Sequence, residues 1–457
     1  MMTSSAQPAL DKRWRFAESQ LFTFPFLSVA YYFVLIFNFP RFSSSLTDVA
    51  YRVDPNLLKY FGGGVLVFSL ALILISTMMN HRSLTGAFSY LIFVLVFVPI
   101  CAVYHISDGS TVFVLACFAS LALAFVLFRD RGAPVTGLNP AWDRRIAAAF
   151  ALYAGLVLLY LASRGALQFS FLDLATVYDV RAEAGAGGRI ATSRWFSISA
   201  YVATSVVLAY GLLYRNWFAC LFGLANAYLL YNAFGHKLYL FAAVLTVAGF
   251  LFMRLRGGSG FVFLVALALM ATYVMSGIDA FGLSKIAWFV DQTFARRFIY
   301  LQPYLAFAWY DVFLEKPMIL MSNSILFRNF IEYPFDLPYT TVVSLEMYGK
   351  VFVPNTGIFG TGFAHFGLPG IALFTTVAYL LLSYIDHTAR RMGSRFLVMA
   401  ALMPSMLFFE AEVMTVLTSF GLILLIAACM VANFLRDNPN FLRAPYWPRG
   451  NPALRYQ

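Results

Sequence analysis

The chain has 457 residues, of which 61% are hydrophobic and only 12% are charged. A soluble globular domain carries roughly 25% charged residues, so this composition excludes an ordinary soluble enzyme and indicates a membrane protein. The formal net charge is +11; in a membrane protein its distribution along the chain is more informative than its sum, and we expect no nucleic-acid partner.

The apolar residues form blocks of about twenty, the length that a helix needs to cross the hydrocarbon core. The blocks do not alternate apolar and polar residues as the strands of a membrane barrel do. We therefore predict an all-α polytopic integral membrane protein, a single membrane domain over residues 1–457 with about twelve transmembrane helices. The predicted spans are 21–40, 57–79, 84–105, 109–128, 146–163, 195–213, 217–233, 237–253, 259–276, 366–385, 396–409 and 413–435.

Basic residues predict the orientation, because they concentrate in cytoplasmic loops. With the N-terminus in the cytoplasm, the segments on that side hold 18 of the 32 Lys and Arg but only 6 of the 21 Asp and Glu. An even number of spans then places both termini in the cytoplasm, including the tail 436–457. Residues 1–20 are polar and no cleavage site follows them, so the first span is expected to remain in the protein.

The first long outer segment, 164–194, carries arginines around a glycine-rich stretch. Glycine lets backbone amides approach an anion, and arginine can clamp a phosphate with two parallel hydrogen bonds. Arg181 and Arg189 are therefore candidates for binding a diphosphate or an acidic sugar. The alternative is a solvated loop whose arginines meet lipid head groups.

Lys237 ends a short outer turn and begins the next predicted span. A cation is poorly placed for the helix dipole at a helix start, unless an anion binds nearby. The alternative is a lysine that anchors the span by extending its amine to the head groups.

The second long outer segment, 277–365, lies between spans nine and ten, and its half-apolar, aromatic-rich patterning predicts amphipathic helices at the membrane surface. Arg296 and Arg297 would point about 100° apart on a helix, so one can face a pocket while the other faces bilayer phosphates. Tyr300 and Asn355 are candidates for contacts to a sugar or phosphate.

Two further groups could transfer protons. His365 lies at the end of the long segment and is a candidate general base, since the ordinary pKa of histidine is near neutrality; the alternative is a packing or hydrogen-bonding role. Glu410 and Glu412 lie between the last two spans, where carboxylates at depth are usually functional. They would support proton coupling in a transporter, or simply face water if the turn is shallow.

The chain shows no sign of a metal or nucleotide site. Its four cysteines lie in apolar blocks, which favours small core residues over a disulfide framework or metal ligands. No P-loop, HExxH or DxD motif is present, which argues against ATP-driven pumps, zinc proteases and enzymes that use nucleotide sugars in the cytoplasm. We therefore expect neither a metal nor a cofactor.

The segment 354–370 reads Pro-Asn-Thr-Gly-Ile-Phe-Gly-Thr-Gly-Phe-Ala-His-Phe-Gly-Leu-Pro-Gly. Together with the two outer loops and the number of spans, it resembles the bacterial oligosaccharide repeat-unit polymerases, the O-antigen polymerase (Wzy-type) family. The turn 235–237, Gly-His-Lys, is similar to a short basic turn in that family. O-antigen ligases share the general plan, but a ligase would carry a histidine inside its large loop, whereas His365 lies at the edge.

The resemblance implies a GT-C-like membrane enzyme of the bacterial inner membrane with its active site facing the periplasm. It would transfer the growing chain from undecaprenyl diphosphate to a sugar hydroxyl of the incoming lipid-linked unit, without metal or nucleotide. Its partners would be these lipid-linked glycans, the lipid bilayer and a chain-length regulator. The diphosphate would be bound by residues that also stabilise the leaving group, and a base would receive the proton. The implied residues are Arg181, Arg189, Lys237, Arg296 and Arg297 for diphosphate, Tyr300 and Asn355 for sugar or acceptor, and His365, Arg297 and Arg181 for catalysis.

Two other functions remain open. One is an O-antigen ligase, which performs the same chemistry with a lipid A-core acceptor. The other is a secondary transporter, which should have inverted repeats and helices broken near the membrane midplane. The sequence shows neither feature.

Overall fold

The computed structural model describes residues 23–39, 55–77, 83–107, 109–129, 135, 137–167, 194–254, 299–324 and 327–438. Within these ranges the regular structure is helical and no strand occurs. The predicted span 259–276 lies outside the described residues. The helices are α1 (Thr23–Phe39), α2 (Leu57–Thr77), α3 (Leu84–Ile106), α4 (Thr111–Leu127), α5 (Pro140–Ser163), α6 (Arg194–Tyr214), α7 (Trp217–Phe234), α8 (Lys237–Arg254), α9 (Gln302–Glu315), α10 (Tyr339–Tyr348), α11 (Ile358–Met392), α12 (Phe396–Phe409) and α13 (Leu422–Asp437).

Six of these helices, α2, α3, α5, α6, α7 and α11, are long and apolar enough to cross a membrane. The shorter apolar helices α1, α4 and α12 and the apolar part of α8 lie where further spans were predicted. Leucines on α5 show where lipid would contact the bundle: Leu152, Leu156 and Leu159 lie along one face and are largely exposed. An outward-facing apolar stripe of this kind suits hydrocarbon rather than water. The prediction of an all-helical membrane protein is therefore confirmed.

One end of the bundle, here called the basic end, is where α5 and α12 begin and α6 and α11 end. These termini meet around Asp143, a buried carboxylate that accepts hydrogen bonds of 2.6 Å from the hydroxyls of both Tyr214 and Ser394. Arg144, Arg145, Arg215, Arg390 and Arg391 surround this junction in the sequence. The arginines of separate loops therefore share one end, as the charge distribution predicted.

Asp386 provides a second connection at the basic end. Its two carboxylate oxygens accept hydrogen bonds from the backbone amides of Leu84, at 2.7 Å, and Thr85, at 2.8 Å, and one also accepts from the Thr85 hydroxyl at 2.7 Å. The first amides of a helix have no partner within the helix, and a negative charge there is favoured by the helix dipole. A side chain of α11 thus caps the start of α3.

We expect Asp386→Asn to destabilise the protein by about 1–3 kcal/mol, because an amide cannot accept all three hydrogen bonds and leaves a buried donor unpaired. Asp437→Asn is the matched control: Asp437 pairs with Arg391 at 2.7 Å, but both side chains are partly exposed. Exposed ion pairs contribute about 0–1 kcal/mol. Thermal unfolding in detergent should show a lower Tm for Asp386→Asn only; equal shifts would contradict the capping role.

The outer segment contains α9, which differs from the expected amphipathic surface helix. Ten of its fourteen residues are buried. Trp309 donates its indole N–H to the carbonyl of Pro354 at 3.1 Å, and the Tyr310 ring lies 4.5 Å from that of Phe363 at the start of α11. Aromatic side chains of α9 therefore pack into the bundle, because their large apolar area is buried more completely between helices than at a surface.

Helix α11 is broken near its start. Phe366 and Gly367 leave the helical conformation, Gly367 with a φ of 64°, and Pro369 follows without an N–H group. Gly362 and Gly370 lie so close that a Cβ atom on Gly370 would collide with the carbonyl oxygen of Gly362. In a continuous helix these residues would be about 12 Å apart. The short first part of α11 therefore folds back against the longer second part.

Helix α12 also ends early. Its fourteen residues, Phe396–Phe409, rise only about 20 Å, whereas the hydrocarbon core is about 30 Å thick. The next residues, 410–412, form a turn, and a π-helical turn at Thr415–Ser419 follows before Gly421 starts α13. Helix α12 is therefore shorter than the hydrocarbon core is thick. The predicted span 396–409 has the bounds of α12, and the break in α11 at residues 366–367 lies where the predicted span 366–385 begins.

Candidate functional site

The break in α11 is filled by the backbone of residues 319–321. Ile319 donates its amide to the carbonyl of Ala364 at 3.0 Å, and Leu320 donates to the carbonyl of His365 at 3.2 Å. Within an unbroken helix the His365 carbonyl would pair with residue 369, which is a proline and has no amide hydrogen. The outer segment thus supplies donors that the broken helix lacks.

The same segment orients the imidazole of His365. Met321 donates its backbone N–H to Nδ1 of His365 at 3.0 Å. Leu320 and Met321 both have positive φ angles, 51° and 62°, a left-handed conformation that costs non-glycine residues about 1–2 kcal/mol each. Strain of this kind persists where the surrounding structure holds it, often at functional sites. Since Nδ1 accepts a hydrogen bond, the ring proton of the neutral imidazole is on Nε2.

Glu412 lies beside the other nitrogen of this ring. Its Oε1 atom is 3.3 Å from Nε2 of His365, and both side chains are almost fully buried. Its Oε2 atom accepts hydrogen bonds from the Tyr339 hydroxyl at 2.8 Å and the Asn323 amide at 3.4 Å. Donors around a carboxylate favour its ionised form. The carboxylate of Glu412 is therefore the point where four parts of the chain meet. These are the turn after α12, the break of α11 and two parts of the outer segment.

Two atoms of this cluster have no hydrogen-bond partner among the described residues. These are Nε2 of His365 and Oε1 of Glu412, which are close together but not aligned for a hydrogen bond with each other. Buried polar atoms are nearly always paired in folded proteins. A single hydroxyl group can pair with both of these atoms, because it can accept a hydrogen bond from the imidazole N–H and donate one to the carboxylate.

A small cavity lies between α3, α9, the end of α12 and the segment that leads into α11. It has a volume of about 10 Å³, and its lining includes Gln302, Thr356, Gly357 and Phe409. The side-chain oxygens of Gln302 and Thr356 are buried without partners among the described residues. This volume is about that of a single water molecule.

The structure describes four of the predicted site residues. His365 is at the centre of the cluster, whereas Asn355 is exposed and Lys237 is half-buried at the start of α8. Tyr300 is fully buried, and its hydroxyl donates to the carbonyl of Leu35 at 2.8 Å. Tyr300 is therefore placed to pack against α1 rather than to bind a sugar. The predicted anion-binding residues Arg181, Arg189, Arg296 and Arg297 lie outside the described residues.

Sequence reasoning did not connect His365 with Glu412, Tyr339 or Asn323. Glu412 is a candidate because of its position between two spans, but it is 47 residues from His365, and no spacing pattern relates them. Tyr339 and Asn323 carried no signal of their own, because a tyrosine or an asparagine in a long outer segment is unremarkable in composition. No group of three or more His, Cys, Asp or Glu side chains that could hold a metal ion occurs in the described part of the chain.

Comparison with known proteins finds no matching family model, no similar curated protein and no similar solved structure. The resemblance to repeat-unit polymerases therefore depends on the residues of 354–370 and on the plan of spans and loops.

Proposed function

We propose that this protein is a polymerase of undecaprenyl-diphosphate-linked oligosaccharide repeat units, with about twelve spans, both termini in the cytoplasm and its site facing the periplasm of a bacterial inner membrane. The observation that carries the proposal is the buried pair of His365 and Glu412, which offers a donor and an ionised acceptor to one hydroxyl. It lies at the end of α12 away from the basic end, where the outer segment enters the bundle.

In the proposed reaction, a hydroxyl oxygen of the incoming unit attacks the anomeric carbon of the growing chain. The bond from that carbon to the diphosphate oxygen breaks, and the lipid diphosphate leaves with the bonding electrons. The hydroxyl proton passes to Oε1 of Glu412. His365 donates from Nε2 to the hydroxyl oxygen before attack and so orients it. General-base assistance such as that of Glu412 contributes about 10²–10⁴-fold to a rate.

This assignment gives the base role to Glu412 and a positioning role to His365. The Nδ1 lone pair of His365 is already occupied by the Met321 amide, so the ring can take a second proton only by losing that hydrogen bond. Negative charge on the departing diphosphate needs cations, and the proposed ones are Arg181, Arg189, Lys237, Arg296 and Arg297.

The proposal is tested with purified protein in proteoliposomes. The substrate is the lipid-linked single unit extracted from a strain that lacks this gene, which should accumulate it. We expect a ladder of lipid-linked oligomers on gel electrophoresis, with no added metal or nucleotide. Recovery of single units only, from protein that is folded and reconstituted, would contradict polymerase activity.

An O-antigen ligase would use the same site chemistry with a different acceptor. The surface glycolipid of the deletion strain separates the two activities. Loss of a polymerase leaves single repeats attached to the lipid A core, whereas loss of a ligase leaves no repeats attached.

A proton-coupled secondary transporter is favoured by one observation, the broken helices. Transporters commonly place their sites where discontinuous helices meet, and Glu412 lies between such breaks in α11 and after α12. Proton-driven solute uptake by the same proteoliposomes, without any glycosyl transfer, would establish transport instead.

A further inference from the structure

The pair of His365 and Glu412 is closed off from solvent. The two side chains are 0% and 3% exposed, although the proposed function brings a hydroxyl group of a large substrate to them. Tyr339 donates to the carboxylate of Glu412 at 2.8 Å, its ring lies 6.0 Å from that of His365, and it is itself partly exposed. Tyr339 therefore lies between the pair and the surface, and a part of the chain has to move before a substrate can reach the pair.

The elements around the pair are not held equally firmly. Residues 319–321 donate three backbone amides to α11, and the two parts of α11 are in backbone contact at Gly362 and Gly370. In α10, by contrast, only two of ten residues are buried, Val343 and Ser344. Elements with few buried contacts open at a lower free energy than the core does. Helix α10 is therefore the part of this surrounding that can move most easily.

The chain is anchored on both sides of α10. Before it, the ring of Phe335 packs edge-on against a ring of α9 at 6.1 Å, and after it, the carbonyl of Pro354 accepts the indole N–H of Trp309 at 3.1 Å. Between α10 and the second anchor the chain turns at Gly349, which has a φ of 61°, and residues 351–353 are exposed. Helix α10 can therefore move while its flanks stay attached to α9.

Polar contacts hold α10 at its two ends. At the first end Tyr339 donates to Glu412, and a hydrogen bond to a charged group changes an equilibrium constant by about 10–100-fold. At the last end Glu346 pairs with Lys316 at 3.3 Å, but these side chains are 49% and 35% exposed. An exposed ion pair changes an equilibrium constant by at most about fivefold. The hydrogen bond of Tyr339 is therefore the stronger of these two contacts.

We propose that α10 is a lid over His365 and Glu412, closed by the hydrogen bond from Tyr339 to Glu412. It lifts to admit the acceptor hydroxyl of the lipid-linked unit, and it closes over that hydroxyl so that water does not compete for the donor chain. The bound hydroxyl pairs with Nε2 of His365 and Oε1 of Glu412, the two atoms that have no other partner among the described residues. The purpose of the lid rests on the proposed function, whereas its opening does not.

The opening is measured by the reactivity of a cysteine beneath the lid, in the full-length protein in lipid nanodiscs. Ser344→Cys places a thiol on the buried face of α10, and Ser405→Cys places one in α12; both serines are fully buried. The four native cysteines are buried as well. A water-soluble maleimide should react at position 344 at least about tenfold faster than at position 405, because a lid opens more readily than the core.

Tyr339→Phe, added to Ser344→Cys, keeps the ring but removes the hydrogen bond to Glu412. We expect it to raise the labelling rate by about 10–100-fold. Glu346→Gln, which removes the exposed ion pair, should raise the rate by at most about fivefold. Tyr300→Phe is the matched control, because it removes a buried tyrosine hydrogen bond to α1 and should leave the rate unchanged.

Labelling at position 344 as slow as at position 405 would overturn the lid, and so would a rate that Tyr339→Phe does not raise. An equal rise with Tyr300→Phe would also overturn it, because it would show a general loosening of the protein.

The same label tests closure. A maleimide at position 344 holds α10 open, so the labelled protein should lose most of its rate of oligomer formation. The same label on Leu152→Cys, an exposed position of α5, should leave that rate unchanged. A protein labelled at 344 that keeps more than half of its rate would show that closure is not needed. The labelling rates require no glycosyl transfer, so expected rates without any oligomers would contradict the proposed function and leave the lid in place.

Discussion

Glu412→Gln should lower the rate of oligomer formation by about 10²–10⁴-fold, the range expected for loss of a general base. Glutamine has nearly the shape of glutamate and its carbonyl can still accept from Tyr339, so the packing of α10 on the bundle should be retained. The amide cannot take the proton of the attacking hydroxyl. The measurement is the initial rate of the oligomer ladder in proteoliposomes, at equal amounts of folded protein.

Glu410→Gln is the matched control for that experiment. Glu410 is two residues away in the same turn and half-buried, and the proposed reaction does not use it. We expect its rate to stay within about twofold of the unmodified protein, the scatter of a residue outside the reacting groups. A Glu412→Gln protein that keeps more than half of the activity would show that another group accepts the proton.

Gly370→Ala should disrupt the site without changing any group in it. The added Cβ atom would collide with the Gly362 carbonyl, and a backbone atom inside a folded-back helix cannot rotate away. Overpacking of this kind costs about 1–3 kcal/mol. Relief requires the two parts of α11 to separate, which would move His365 away from Met321 and Glu412. We therefore expect both a lower Tm in detergent and a large loss of activity.

Gly155→Ala provides the comparison, since a Cβ atom at this position of α5 would meet nothing within 4 Å. Alanine is favoured over glycine in a helix by about 1 kcal/mol, so this variant should be as stable as the original or slightly more stable. If Gly370→Ala matches Gly155→Ala in Tm and activity, the fold-back of α11 is not needed for the site.

The positions of the spans were predictable because the property that determines them is local. A membrane helix needs about twenty consecutive apolar residues whatever its neighbours are, and the predicted 84–105 and 217–233 agree with α3 and α7. The convergence of the arginines on one end was predictable for a similar reason, since each loop is short and its side follows from the number of spans before it.

The sequence predicts that a span starts at residue 366. The apolar pattern begins there, but the helix starts earlier, at Ile358, and residues 366–367 are the point where it breaks. Glycine and proline in 354–370 favour tight turns or close helix packing. They could not indicate which residues would approach each other, because the fold-back depends on the contact between Gly362 and Gly370.

By itself, the sequence determined that this is a helical membrane protein, where most of its spans lie, and which residues could transfer protons or bind anions. Only the tertiary structure decided that His365 and Glu412 form one buried pair and that Tyr300 is used for packing. The physical reason is that a buried polar cluster is created by helix packing between distant segments, here at two helices that stop short. Local propensity and hydropathy carry no record of such contacts: they locate the apolar helices, whereas only the packing of the broken helices places this carboxylate.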